Sequence, residues 1–157
     1  MDKVKIGGIL QHTDLALVGM TAVPDRPGIA AAIFKALGKR GINVLAIVQL
    51  IDPDNNTHVA FCVANKDVVT AVGLLEPLKE RFGGRQVTHR AGVALVSIFG
   101  PDFREIPGVA GKMYSSLADA GINILSISTS MSSVSCVIEQ ARLEDAVAAL
   151  KNTFETS

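Results

Sequence analysis

Apolar residues recur at helical spacing in two segments of the chain. The segments begin at Pro27 and Pro107 and are therefore offset by 80 residues. Within each segment they follow the order i, i+3, i+4, i+7, which marks one face of an α-helix. Gly41 and Gly121 end the two segments, where a helix C-terminus favours a left-handed residue. The pattern predicts two amphipathic helices, with apolar faces formed by Ala30, Ile33, Phe34 and Leu37, and by Ala110, Met113, Tyr114 and Leu117.

Apolar runs on either side of these helices predict strands, and a second helix follows in each half of the chain. In the first half the strands are 15–18, 43–51, 57–63 and 85–89, with a helix at about 66–81. In the second half they are 93–99, 123–129 and 133–138, with a helix at about 143–154. The order β-α-β-β-α-β is that of the ferredoxin-like unit. We therefore predict an α+β fold of two such units, with antiparallel sheets and helices on one face.

The two halves are an internal repeat. Nine of the 21 residues from Pro27 to Ile47 are identical to those 80 positions later, without a gap. Cys62 and Cys136 also match once the loop before them is shortened in the second copy. Repeats of this kind indicate duplicated structural units.

The second copy ends after its second helix and so lacks a closing strand, whereas residues 4–10 form a spare strand at the N-terminus. An unpaired sheet edge is unfavourable, which suggests that the spare strand completes the second unit. We therefore expect a first domain of residues 13–90, inserted into a second domain made of residues 1–12 and 91–157.

Composition narrows the range of partners. Lys plus Arg and Asp plus Glu balance at 15 each, and aromatic residues make up 4% of the chain. This charge balance does not favour binding to a nucleic acid or a membrane, and the low aromatic content disfavours base stacking. The first residues, MDKVKIGGIL, lack the long apolar region of a signal peptide. We expect a cytoplasmic protein.

The sequence offers little reactive chemistry. The two cysteines lie in predicted strands, which favours buried thiols in a reducing compartment. His12, His58 and His89 have no metal-ligand spacing and are expected at solvated strand edges. Neither a phosphate-binding loop nor a nucleophile elbow is present. We expect no catalytic residues, no cofactor and no metal.

The segment PDRPGIA, from Pro24, is the strongest candidate for ligand binding. Its helix is expected to begin at about Pro27 or Gly28, where unpaired N–H groups and the helix dipole favour a carboxylate. Gly28 permits close approach to the backbone, and Asp25 can take an ammonium. These groups match the two ends of a free α-amino acid. Helix capping, with a proline in the first turn, explains the same residues, and from these residues alone it is favoured.

The strings VPDRPGIA, GINVLAIVQ and GINILSISTS, taken together, resemble the paired ACT domains in the regulatory region of aspartate kinases. The likeness covers the chain from about Ile6 to Phe154. It implies a regulatory part of an aspartate kinase that binds threonine or lysine for feedback inhibition. The partners it implies are a second copy of the chain, joined through ACT domains, and the kinase catalytic domain or subunit.

The resemblance also implies two effector sites, each where two ACT units meet. In the better one, the helix N-terminus and the strand that carries Gln49 face the segment after the other unit's GIN. Its residues would be Asp25, Gly28, Ile29, Ala30 and Gln49, faced by Gly121, Asn123 and Ile124. Those of the second site would be Glu105, Gly108, Val109 and Ala110, with Gly41, Asn43 and Val44.

Three other classes stay open. A free-standing tandem ACT sensor would control transcription or another enzyme. The small subunit of a branched-chain amino-acid synthase is of similar size but carries one ACT unit, which the full repeat disfavours. A ferredoxin-like enzyme or RNA-binding domain is disfavoured by the missing catalytic sets and sheet aromatics.

Overall fold

The computed structural model describes residues 3–101 and 103–156, which form two compact units. The first, here called the inserted unit, is Asp14–Ala91. The second, here called the split unit, combines the residues up to Thr13 with those from Gly92 onward. Each is an α+β unit with a ferredoxin-like arrangement, as the repeat predicts.

In the residues that the structure describes, four α-helices and eight strands make up the two units. The helices are α1 Ile29–Lys39, α2 Val68–Phe82, α3 Val109–Asp119 and α4 Leu143–Thr153. The strands are β1 Val4–Ile6, β2 Gly8–Pro24, β3 Leu45–Ile51, β4 Asn56–Ala64, β5 Gln86–Phe99, β6 Ser126–Thr129, β7 Ser133–Glu139 and β8 Phe154–Thr156. The long strands β2 and β5 each contribute residues to both units.

In the inserted unit the strand order is β3-β4-β2-β5, and β4 runs antiparallel to both its neighbours. Alternate residues of β2 and β4, such as Val18 and Phe61, meet the apolar faces of α1 and α2. Ile33, Leu37 and Leu75 complete this core and are fully buried. Because β3 is at the end of the order, its outer edge has no partner strand within the unit.

In the split unit the order is β2-β5-β7-β6, with β7 antiparallel to β5 and β6. A separate parallel pair joins β1 to β8, with Val4 opposite Phe154. The sequence predicts a last helix over about 143–154, and the structure ends it one residue earlier, at Thr153. Phe154 has extended backbone and is 1% exposed, because its ring packs in the core of the split unit.

The predicted N-terminal strand of residues 4–10 is interrupted at Gly7. The N–H of Gly7 donates to the carbonyl of Phe99 at 2.7 Å, and a Cβ on Gly7 would lie 2.7 Å from the Phe99 ring. Only glycine allows this close approach. The chain therefore forms β1 before Gly7 and β2 after it.

The two cysteines are not equivalent, which corrects the match expected from the sequence. Ala64 and Glu139 each end a strand before a short 3₁₀ turn, and this aligns Cys136 with Phe61 instead. Cys136 lies in the helix-covered core opposite Val96, whereas Cys62 lies opposite Leu17. Both thiols are free and buried, as expected, and burial raises the pKa of Cys62 to about 11 and that of Cys136 to about 12.

Candidate functional site

The N-terminus of α1 carries no side-chain cap. Its N-cap residue is Gly28, in the left-handed region with φ 100°, and the first helical bond runs from the N–H of Ala32 to the carbonyl of Gly28 at 3.0 Å. The amides before Ala32 have no helical acceptor, as at every helix start. The first turn also holds no acidic residue. This end of the helix therefore keeps its partial positive charge for an anion.

Helix capping was the alternative explanation of PDRPGIA, and the described residues support it at Gly28, the N-cap residue, but not at Asp25 or Pro27. Pro27 precedes the N-cap residue and lies outside the helix, which begins at Ile29. The carboxylate of Asp25 does not cap α1 but accepts a hydrogen bond from the hydroxyl of Thr57 at 3.0 Å. Helix capping thus accounts for Gly28 but not for Asp25.

A cavity of about 290 Å³ opens at this end of α1. It brings together the five residues that the family resemblance assigns to the inserted-unit half of the first site. Gln49 reaches it from β3, because its cross-strand partner Val59 belongs to the core that α1 and α2 cover. The residues around the cavity are Asp25, Arg26, Pro27, Gly28, Ile29, Ala30, Gln49 and Thr57.

Asp25 is held in place by two hydrogen bonds. Its N–H donates to the carbonyl of Asn55 at 3.0 Å, and its Oδ1 accepts from Thr57, which is 1% exposed. The second carboxylate oxygen has no protein partner among the described residues. A carboxylate fixed in this way, next to unpaired helix amides, can bind an ammonium and a carboxylate of one small molecule.

The turn between β3 and β4 is organised by Asp52. Its Oδ1 accepts from the N–H groups of Asp54 at 2.9 Å and Asn56 at 3.0 Å, and its Oδ2 lies 2.8 Å from Nε2 of His58. Nδ1 of His58 accepts from the N–H of Ala22 at 3.2 Å. His58 is therefore part of a network and not a solvated strand-edge residue, which corrects the expectation from sequence. The network fixes the turn that carries Asn55, and so supports Asp25.

Acid unfolding should reveal the role of Asp52. Its hydrogen bonds, first of all that with His58, hold the pKa of Asp52 below its ordinary value of 3.8. A carboxyl group with a lowered pKa stabilises the fold above that ordinary value, and the contribution is lost as pH falls through the folded-state pKa. We expect Asp52→Asn to unfold at lower urea concentration than the wild type at neutral pH, and the two midpoints to converge below the folded-state pKa.

The matched control is Asp54→Asn, which changes an exposed carboxylate in the same turn. This variant should follow the wild type at every pH. Equal midpoints for Asp52→Asn and wild type at neutral pH would contradict the role given to Asp52.

Arg26 lines the cavity and was not singled out from the sequence. Its guanidinium lies 4.5 Å from the centroid of the Phe82 ring, and its Nη2 donates to the carbonyl of Arg81 at 3.3 Å. These contacts tie the loop before α1 to the C-terminal end of α2. Thr57 was also missed, since it is 32 residues from Asp25 and no local pattern connects the two.

A second cavity, of about 230 Å³, lies at the start of α3 and includes Gly108, Val109 and Ala110. Gly108 has φ 87° and caps α3 as Gly28 caps α1. Glu105 is not among the residues around this cavity, whereas the cation Arg104 is. Among the residues that the structure describes around this cavity there is no acid, unlike at the first cavity.

The remaining predicted site residues follow the ends of α1 and α3. Gly41 and Gly121 adopt φ 70° and 72°, which confirms their left-handed role at the helix C-termini. The carbonyl of Gly121 accepts from Arg142 at 3.0 Å. Since α1 has 11 residues and is about 16 Å long, Gly41 lies at the opposite end of α1 from Gly28. Asn43 and Val44 lie between Gly41 and β3, and Asn123 and Ile124 between Gly121 and β6. Their facing role stays a prediction.

The described ranges, 3–101 and 103–156, hold neither a metal-binding cluster nor a membrane-spanning helix. They contain no group of three His, Cys, Asp or Glu residues placed to hold a metal ion. Within the same ranges, no helix has the length and apolar character needed to cross a membrane.

Comparison with known proteins gives consistent matches along the chain. Sequence profiles of the ACT domain match residues 20–83 and residues 96–154. An aspartokinase of Pseudomonas aeruginosa is 38% identical over 155 residues, which is 99% of this chain and 38% of that protein. The chain thus spans well under half of the length of the curated relatives it matches.

Two solved structures are similar over nearly all of the chain. The ligand-free regulatory subunit of aspartate kinase from Thermus thermophilus has a TM-score of 0.86 and 35% identity, and the match covers 96% of this chain and 99% of that one. A structure of aspartokinase alpha and beta subunits has a TM-score of 0.85 and 31% identity, covering 94% of this chain and 97% of that one.

Proposed function

This chain belongs to the family of ACT-domain regulatory regions of aspartate kinases, and we propose that it binds a free amino acid, threonine or lysine, to give feedback inhibition of the kinase. The chain consists of ACT domains and contains no kinase catalytic domain. One observation carries the proposal. The uncapped N-terminus of α1 and the fixed carboxylate of Asp25 lie at the same cavity.

The cavity offers a partner for each end of an amino acid. The amides of Ile29 and Ala30 would donate to the ligand carboxylate, with Gly28 allowing it to approach the backbone. The Asp25 carboxylate would accept from the ligand ammonium. The side-chain amide of Gln49 both donates and accepts, and so suits a hydroxyl or an amine on the ligand side chain.

A second chain would close the cavity, with Gly121, Asn123 and Ile124 of its split unit facing the ligand. The exposure of β3 supports this part of the proposal. Ile47 and Ile51 flank Gln49 on an edge strand, and each is 50% exposed. Apolar side chains on an open strand edge favour association with another chain. Ligand binding would then stabilise the paired arrangement over the unpaired one.

We assign the effector to the first cavity and not to the second. An amino acid needs a partner for its ammonium, and Asp25 provides one at the first cavity. Among the described residues of the second cavity, Arg104 would repel an ammonium, and Glu105 is not one of them.

A thermal-shift panel of the twenty amino acids tests the proposal. A ligand that binds only the folded state raises stability by about 2.7 kcal/mol at one hundred times its Kd. We expect threonine or lysine to raise Tm, and its 2-hydroxy acid analogue, which lacks the α-ammonium, to leave Tm unchanged. Absence of a shift with all twenty amino acids would contradict the proposed function.

A further inference from the structure

A basic groove lies between α1 and α2 on the helix face of the inserted unit, with a cavity volume of about 450 Å³. Its floor is apolar and includes Ala36 and Leu78. No acidic residue lines the groove. Four cations surround its floor, namely Lys35, Lys39, Arg40 and Arg81.

These four cations are not neutralised by the inserted unit itself. In the part of the chain that the structure describes, none of them forms an ion pair with a carboxylate, and α1 contains no acidic residue at all. The nearby acids on α2, Glu76 and Glu80, pair with Lys79 at 2.9 Å and 3.4 Å. The groove therefore presents an uncompensated positive field to its surroundings.

The fold does not require this charge. The repeat aligns α1 with α3 at an offset of 80 residues, and Ser115 and Asp119 occupy the places of Lys35 and Lys39 in the split unit. The equivalent surface of the split unit has the acid Asp119 beside two lysines, Lys3 and Lys112, whereas the groove has four cations and no acid. Two units with the same architecture thus differ in charge at this groove, which indicates a property specific to the inserted unit.

The groove is connected to the effector cavity through one aromatic ring. The guanidinium of Arg81, a residue of the groove, lies 5.0 Å from the centroid of Phe82. The same ring lies 4.5 Å from the guanidinium of Arg26, a residue of the cavity. A change in the position of Arg26 on ligand binding would be transmitted directly to the groove.

We propose that this groove docks an acidic amphipathic helix from the catalytic part of the kinase. The proposal rests on the proposed function, since it names the partner that receives the effector signal. An amphipathic helix would place its apolar side on the Ala and Leu floor and its carboxylates against the cations. A nucleic acid fits less well, because no aromatic side chain lines the groove for base stacking.

The test uses the complete kinase, with its catalytic part joined to this chain or bound to it as a separate subunit. The variant Lys35→Glu/Lys39→Glu reverses two charges of the groove. The control Lys112→Glu/Lys151→Glu reverses two exposed lysines on α3 and α4. Calorimetry measures effector affinity, and kinase assays measure inhibition by the effector.

We expect the groove variant to bind the effector within twofold of the wild type but to need about tenfold more of it for half-inhibition, or to lose inhibition. The control should match the wild type in both measurements. Wild-type inhibition in the groove variant would overturn the proposal.

A readout independent of any amino acid separates this proposal from the proposed function. A photo-crosslinking residue in place of Lys35 should form a product with an acidic segment of the catalytic part, identified by mass spectrometry. No such product would overturn the docking proposal even if the chain binds threonine or lysine. A combination of two results would also overturn it. The wild type would shift a DNA duplex in a gel while the groove variant would not, and no crosslink to the catalytic part would form.

Discussion

Asp25→Asn is expected to weaken amino-acid binding by about 10- to 100-fold, the range for loss of one hydrogen bond to a charged group. The substitution removes the negative charge that would pair with the ligand ammonium. It keeps an oxygen that can accept from Thr57, so the loop before α1 should hold its position. The substitution should therefore lower the affinity for the amino acid and leave the stability of the fold nearly unchanged.

Glu105→Gln is the matched control, because Glu105 occupies the position of Asp25 in the second copy of the repeat. Isothermal titration calorimetry gives affinity, and urea unfolding gives stability. The control should bind like the wild type, since Glu105 is not among the residues around the second cavity. Equal losses in both variants, or no loss in Asp25→Asn, would contradict the assignment of the ammonium partner.

Gly28→Ala should have an equally large effect on binding and also destabilise the fold by about 1–2 kcal/mol. Gly28 has φ 100°, a conformation that residues with a Cβ rarely adopt. A Cβ at this position meets no protein atom within 4 Å, so in the free protein the cost is one of backbone conformation. With a ligand present, the methyl group would take up space at the cavity wall where the carboxylate approaches the amides.

Gly108→Ala separates these two effects. Gly108 has φ 87° and is equally open around its Cβ, so its substitution should destabilise the fold by a similar amount. It should not reduce affinity for the effector. If both variants lose affinity in proportion to their loss of stability, the effect at Gly28 is on folding alone and the cavity assignment is wrong.

The parts of the fold that depend on local pattern could be predicted from the sequence. The apolar spacing of α1 and α3, and the left-handed glycines at their ends, are decided within a few residues. The strand β8 could not be predicted in this way. Phe154 continues the helical apolar pattern of α4, and only its burial and its pairing with Val4 make it a strand residue. The length of β2 was missed for a related reason, since its exposed residues 10–14 interrupt the apolar run.

The same distinction between local and distant residues applies to the candidate site. The helix start and Asp25 are adjacent in sequence, so their shared chemistry was visible in one short string. Thr57, which fixes Asp25, and Phe82, which lies beside Arg26, come from distant parts of the chain. The basic groove was also not visible, because Lys35 and Lys39 look like ordinary solvated helix residues until α2 places Arg81 beside them.

The central claim is that the N-terminus of α1 and Asp25 together hold the two ends of a free amino acid. A crystal structure with bound threonine or lysine tests this most directly. We predict the ligand carboxylate within hydrogen-bond distance of the Ile29 and Ala30 amides, and its ammonium on the carboxylate of Asp25. A ligand bound elsewhere, with this end of α1 open to solvent, would contradict the claim.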